Sequence, residues 1–100
     1  MTSITLQPDK IVFDGHAGKP EVCHGLSAIS QMAAGYLAEK KDSRLNIQSG
    51  HLEISDLPGD FWGTDLGQAM VMALCDIADQ YPEYVKIRRG SFHLPLKAQG

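Results

Sequence analysis

Cysteine is scarce in this sequence, with two in 100 residues. A small domain held by a disulfide framework needs more, at regular spacings, so that class is excluded. Long apolar runs are missing as well. None approaches the roughly 20 residues that cross a bilayer, and the first residues lack a basic region leading into an apolar core. The chain is therefore expected to be cytoplasmic, free of membrane, with both thiols reduced. Positive charge is thin: nine Lys and Arg face twelve Asp and Glu, a formal charge of −3. Only Lys86-Ile-Arg-Arg89 is a local cluster. Phosphate binding is driven by clustered cations, so no direct nucleic-acid partner is expected. Repeats, low-complexity tracts and linker-like runs are also lacking, which predicts one domain over residues 1–100.

What is present suits a compact fold. Hydrophobic residues make up 43% and charged residues 21% of the chain. A core of this size is modest, and dimerisation would add to it. Ser3–Leu6 and Lys10–Asp14 read as two strands around the turn Gln7-Pro8-Asp9. Val22, Leu26, Ile29, Ala33 and Leu37 then recur at helical spacing. Pro20 and Glu21 suit the first turn of that helix, one needing no amide donor and the other favouring the positive end of the dipole. Leu45–Gln48 and Leu52–Ser55 alternate around Ser49-Gly50, a hairpin with one wet face. After Pro58-Gly59, the residues Leu66, Met70, Ala73, Leu74, Ile77 and Tyr81 form a second helical stripe ended by Pro82. Tyr84–Arg88 reads as a last strand, and the tail beyond Gly90 as frayed. The order β-β-α-β-β-α-β predicts an α/β fold of the α+β type. It is a two-layer sandwich with a mostly antiparallel sheet and both helices on one face.

The chemistry gathers in one stretch, Asp14-Gly-His-Ala-Gly-Lys-Pro-Glu-Val-Cys23. His16 lies just past a strand, and its small neighbours Gly15, Ala17 and Gly18 leave the imidazole uncrowded. Cys23 falls in the first turn of the predicted helix. A helix N-terminus favours a thiolate over a thiol, and a nearby imidazole can complete activation by taking the proton. The six residues between His16 and Cys23 can fold back to bring the two side chains together. Ser27, one turn after Cys23, could donate a hydrogen bond near the reacting group. Glu21 and Asp14 are the candidates to orient His16, Asp14 by strand alternation. A Cys at a helix start is more often inert than catalytic, and one Cys–His pair at this spacing arises by chance.

Metal binding through His16, Cys23 and His24 is the weaker alternative, since no CxxC or HxxxH spacing accompanies them. No metal or other cofactor is expected. His51 and His93 lie on other elements, and His51 in a hairpin turn reads as solvated. Phe61 and Trp62 read as core or interface anchors. Met70, Met72 and Cys75 read as helix packing. Gly25 and Gly35 within the first helix suggest close approach of another backbone.

Three stretches together resemble the ribosomal-processing cysteine protease family (Prp, YsxB-like). Gly15-His-Ala-Gly18 resembles the family's GHAG at a strand end. Cys23-His-Gly-Leu-Ser-Ala-Ile29 resembles its helix-opening Cys. Gln80-Tyr-Pro-Glu-Tyr-Val-Lys-Ile87 resembles its ending, where a helix runs into the last strand. Gly50-His-Leu-Glu-Ile54 also resembles the strand after the family's first helix. The resemblance implies a cytosolic cysteine endopeptidase, usually a homodimer, that removes an N-terminal extension from a large-subunit ribosomal protein. It places the catalytic dyad on Cys23 and His16 and the helix-motif serine on Ser27, with backbone amides at the helix start as oxyanion donors. The segment Ala17–Val22 is shorter than the family's substrate-contacting loop, Glu21 stands one position closer to Cys23 than the family's acidic residue, and His24 replaces a small residue. Such departures suit a divergent member acting on another protein, such as a phage structural protein. The alternative is a catalytically weakened homologue that binds a peptide or protein.

Overall fold

The computed structural model describes residues 1–90; the tail and His93 lie outside the described residues. The elements follow the predicted order: β1 (Thr2–Leu6), β2 (Ile11–Gly15), α1 (Pro20–Lys41), β3 (Arg44–Gln48), β4 (His51–Ser55), α2 (Asp65–Gln80) and β5 (Val85–Arg89). A short 3-10 turn over Phe61–Gly63, not anticipated from the sequence, precedes α2. The five strands form one sheet in the order β3-β4-β2-β1-β5. Three pairings are antiparallel, and β1 with β5 is parallel.

Alternation decides which side chains meet. Ile4 pairs with Phe13, Phe13 with Leu52, and Leu52 with Ile47, so one apolar row crosses four strands on the same sheet face. The helices cover that face. Val22, Leu26, Ala33 and Leu37 of α1 are buried with Met70, Val71 and Leu74 of α2 against Ile4, Leu6, Ile11 and Ile54. Ile29, expected on the stripe, is half-buried because Ser30 and Ala34 take the inward positions.

The edge strand corrects one expectation. All five residues of β3 are exposed, with Ile47 at 69% and Leu45 at 38%. Leu45 and Ile47 point to the helix side of the sheet, opposite Ile54 and Leu52, but stay largely uncovered there. The predicted hairpin with a single wet face is instead wet on both faces along β3.

Local chemistry explains the boundaries. Pro20 opens α1 where no amide donor is required, and Lys40 and Lys41 sit in its last turn, where cations favour the dipole. Asp42 then takes a left-handed conformation, φ 58°, as the C-cap. Thr64 caps α2, its Oγ1 accepting from the Gly67 amide at 3.1 Å. Phe61 and Trp62 belong to the core, edge to face with ring centres 4.9 Å apart. The Trp62 indole donates to the Gln7 carbonyl at 2.7 Å.

Two smaller readings are corrected. Met72 is 55% exposed on α2, whereas Met70 is buried in the core. A β-carbon at Gly25 would meet only the Ile77 side chain, at 3.6 Å, and one at Gly35 would face open space. Neither glycine admits a neighbouring backbone. Among the described residues, no helix is long and apolar enough to cross a membrane.

Candidate active site

A cleft of about 460 Å³ opens between the first half of α1 and the β3–β4 hairpin. Its helical wall is Cys23, Leu26, Ser27, Ser30, Gln31 and Ala34. These positions are spaced three, one, three, one and three apart, so they form one ridge along α1. The opposite wall carries the apolar side chains Phe13, Leu52 and the exposed Ile47, with Gln48 beside them. His16, Gly50 and His51 close one end.

The structure thus brings Cys23, His16 and Ser27 to one cavity. Cys23 is a half-buried free thiol in the first turn of α1, and His16 is exposed on the segment leaving β2. Among the described residues, no hydrogen bond joins the two side chains. Catalytic bonds are often long before a substrate closes the site. The backbone of His16 is held from outside, its carbonyl accepting from the Met1 ammonium at 2.7 Å.

The predicted orienting residues go elsewhere. Asp14 was expected to reach His16, but its carboxylate lies 3.1 Å from Nδ1 of His51. Register explains this: Asp14 and His51 are direct partners on neighbouring antiparallel strands, and Gly15, at φ 94°, turns the chain before His16. A carboxylate only accepts, so His51 Nδ1 carries the hydrogen. His51 is accordingly not the solvated turn residue expected; its side chain is 28% exposed, with Glu53 at 3.9 Å from Nε2. Glu21 pairs with Lys19 at 3.7 Å, and the Lys19 ammonium also lies 5.6 Å from the centre of the Tyr84 ring.

The first turn of α1 narrows the oxyanion expectation. The amides of Val22 and Cys23 both donate to the Lys19 carbonyl, at 3.1 and 3.0 Å, and Pro20 has no amide hydrogen. Among the described residues, Glu21 keeps the first-turn amide without such a bond. Ser30 Oγ is turned back to the Ser27 carbonyl at 3.3 Å, which leaves Ser27 and Gln31 as the polar side chains of the helical wall.

His24 is exposed on α1 outside the cleft lining. Among the described residues, no three His, Cys, Asp or Glu side chains are grouped as a metal would require. Sequence reasoning missed Gln31, Gly50, His51 and Ile47 as cleft residues. The i+8 spacing of Gln31 from Cys23 was a usable signal; the other three needed the strand order.

The second cysteine lies in different surroundings. Cys75 sits half-buried on α2, and burial lifts its thiol above the usual range, aided by Asp79 and opposed by Arg89.

No protein-family model matches the chain, and no curated protein matches it in sequence. Solved structures do match in shape. The ribosomal processing protease Prp from S. aureus, in complex with a substrate peptide, superposes with a TM-score of 0.74 at 19% identity, over 90% of this chain and 100% of that one. The same protease with a covalently linked product peptide gives 0.72 at 21% identity, with the same coverage. SMU.848 from Streptococcus mutans gives 0.59 at 20% identity, over 89% and 93% of the two chains. The fold of this chain is that of the ribosomal processing protease Prp.

Proposed function

We propose that the protein is a cysteine endopeptidase that cuts a specific segment of a protein substrate, with Cys23 as nucleophile and His16 as its acid–base partner. The observation that carries this reading is the shared cleft: a thiol at a helix start and an imidazole line one cavity of about 460 Å³. The likeness in fold to a protease bound to peptides supports it. The N-terminal extension of a large-subunit ribosomal protein is the first substrate to test, and a phage structural protein the second.

The chemistry closes as two steps. His16 takes the Cys23 proton, and the thiolate attacks the scissile carbonyl carbon, forming a C–S bond and an oxyanion. The Ser27 hydroxyl, which lines the same cleft, and the Glu21 amide, left without a first-turn bond, are the candidate donors to it. The oxyanion collapses, the C–N bond breaks, and His16 gives its proton to the leaving amine. Water then attacks the thioester with His16 as base, which releases a carboxylate and restores the thiol. Lining the cleft, Phe13, Leu52 and Ile47 would receive apolar side chains of the peptide.

Mass spectrometry of peptides offered to the purified protein tests this directly. One defined cut, abolished in Cys23→Ala and in His16→Ala while both variants stay folded, is the expected result. A peptide that binds and is never cut, with Cys23→Ala unchanged, would make the protein a binding module. We further propose a cytoplasmic homodimer, motivated by the small core and the polar outer sheet face. Sedimentation showing only monomer at micromolar concentration would refute the dimer.

A further inference from the structure

We propose that the β3–β4 turn is the seat of the His16 imidazole, with Gly50 as a positioning residue and His51 as its latch. This rests on the Cys23–His16 reading above and adds to it the element that sets the imidazole.

Three contacts from one turn converge on Asp14-Gly-His16. The Gly15 amide donates to the Gly50 carbonyl at 2.7 Å, which fixes the backbone immediately before His16. One residue further back, His51 Nδ1 donates to the Asp14 carboxylate at 3.1 Å. The β2–β4 ladder ends at that pair; on the other side of β2, Thr2 still pairs with Gly15 and the Met1 ammonium holds the His16 carbonyl, so the turn is what holds the β4 side of the chain that carries His16.

The third contact concerns the ring itself. A β-carbon built on Gly50 would stand 2.7 Å from His16 Nε2, 3.2 Å from Cδ2 and 3.3 Å from Cε1. The imidazole therefore occupies the space that a side chain at position 50 would take. Gly50 also has φ +68°, which by itself favours glycine in a tight turn. The two reasons are independent. Gly18 has φ +82° with nothing within 4 Å of a built β-carbon, so crowding by a ring is not a general property of the turn glycines here. Asparagine could adopt the backbone at position 50 but would expel the ring.

Cys23 stands on α1 and is untouched by this turn. A side chain at position 50 would thus separate base from nucleophile while leaving the nucleophile in place. Displacements of about 1 Å at a reacting centre can cost on the order of 100-fold in rate. The latch is weaker, since the Asp14 side chain is 66% exposed, and losing it would loosen the seat without filling it.

The test compares Gly50→Ala, His51→Leu and His51→Asn with the unmodified protein, the asparagine amide replacing the Nδ1 donor. The probe is a synthetic peptide covering the N-terminal segment of a large-subunit ribosomal protein, with kcat and KM measured separately. Imidazole resonances of His16 and the melting temperature are recorded for each variant. Gly50→Ala is expected to lower kcat about 100-fold with KM nearly unchanged and to shift the His16 ring resonances. Its melting temperature should fall by only a few degrees. His51→Leu should lose about 10-fold in kcat, and His51→Asn should recover most of it. A folded Gly50→Ala protein with unchanged kcat and unchanged His16 resonances overturns the seat, as does a His51→Leu protein with both unchanged should Gly50→Ala not fold. Failure of the protease reading appears separately, as no cleavage by the unmodified protein; the His16 resonances then decide the seat alone.

Discussion

Asp14 and His51 face each other across β2 and β4 at 3.1 Å, and this pairing takes from His16 the carboxylate nearest to it in sequence. An imidazole without an orienting carboxylate must be placed by other means. Here the means are backbone and shape: the Gly50 carbonyl on Gly15 and the bare Cα of Gly50 beneath the ring. A carboxylate partner would also stabilise the imidazolium form, whereas a seat only places the ring. On the proposed reading the site would rely on proximity more than on a charge relay, and variants that move His16 should matter more than variants that alter charge near it.

The two thiols should separate cleanly by reactivity. Alkylation needs the thiolate. Cys75 holds its proton to higher pH because of burial first and Asp79 second. Iodoacetamide should modify Cys23 well before Cys75 at neutral pH, and the Cys75 rate should rise only above the usual thiol range. The sign for stability follows. A folded-state pKa raised above the unfolded value gives a contribution that is complete below the unfolded value and lost as pH rises through the folded one. Cys75→Ser should flatten that alkaline loss in urea melts recorded across pH. Equal alkylation of both sites at pH 7 would remove the distinction.

Much of the fold was legible because its signals are local. Alternation at Leu52-Glu-Ile54 and helical spacing through Val22, Leu26, Ala33 and Leu37 do not depend on what lies across the core. Strand neighbours do depend on it. Nothing near Leu45 or Ile47 says that β3 is an edge, so their exposure was misread as a covered face. The 3-10 turn at Phe61–Gly63 was hidden because two large aromatics read equally well as a core loop. At the site, Cys23, His16 and Ser27 could be picked out by spacing, whereas the Asp14–His51 pair joins residues 37 apart in sequence. Gly50 was concealed differently: a hairpin turn already accounts for a glycine, so the second reason for it left no trace in the sequence.

Ile47 separates binding from folding. It is 69% exposed at the free edge of the sheet yet lines the cleft. Ile47→Ser removes little buried area, so the urea midpoint should move by less than about 0.5 kcal/mol equivalent. KM for an apolar peptide should rise by roughly 10-fold, the worth of about one or two buried methylenes. Unaltered KM would place the peptide elsewhere on the surface.

The cap of α2 offers a check on helix ends. Thr64 Oγ1 accepts from the Gly67 amide and itself donates to the Phe61 carbonyl at 2.6 Å. Thr64→Ala should cost about 1 kcal/mol, and Thr64→Ser should restore most of it because the oxygen remains. Equal stability of the alanine and serine variants in denaturant titration would show that the cap contributes nothing.

Two helical glycines should respond to alanine with opposite signs. Helix propensity alone favours alanine over glycine by about 1 kcal/mol. At Gly35 on α1 nothing lies within 4 Å of the added carbon, so the propensity term stands alone, and Gly35→Ala should stabilise by about 0.5–1 kcal/mol. Gly67 on α2 has the same local preference but a different neighbour. Its β-carbon would run into the Phe61 carbonyl oxygen, with Trp62 Cα only 3.0 Å away. Those are backbone atoms, and the turn that carries them is held by buried Phe61 and Trp62 side chains. Neither can yield by a rotamer change, so the 3-10 turn and α2 must part. Overpacking of this kind costs about 1–3 kcal/mol, which exceeds the propensity gain. Gly67→Ala should therefore lower the urea midpoint while Gly35→Ala raises it, and two shifts of the same sign would mean that the close approach between the turn and α2 is not a constraint on the fold.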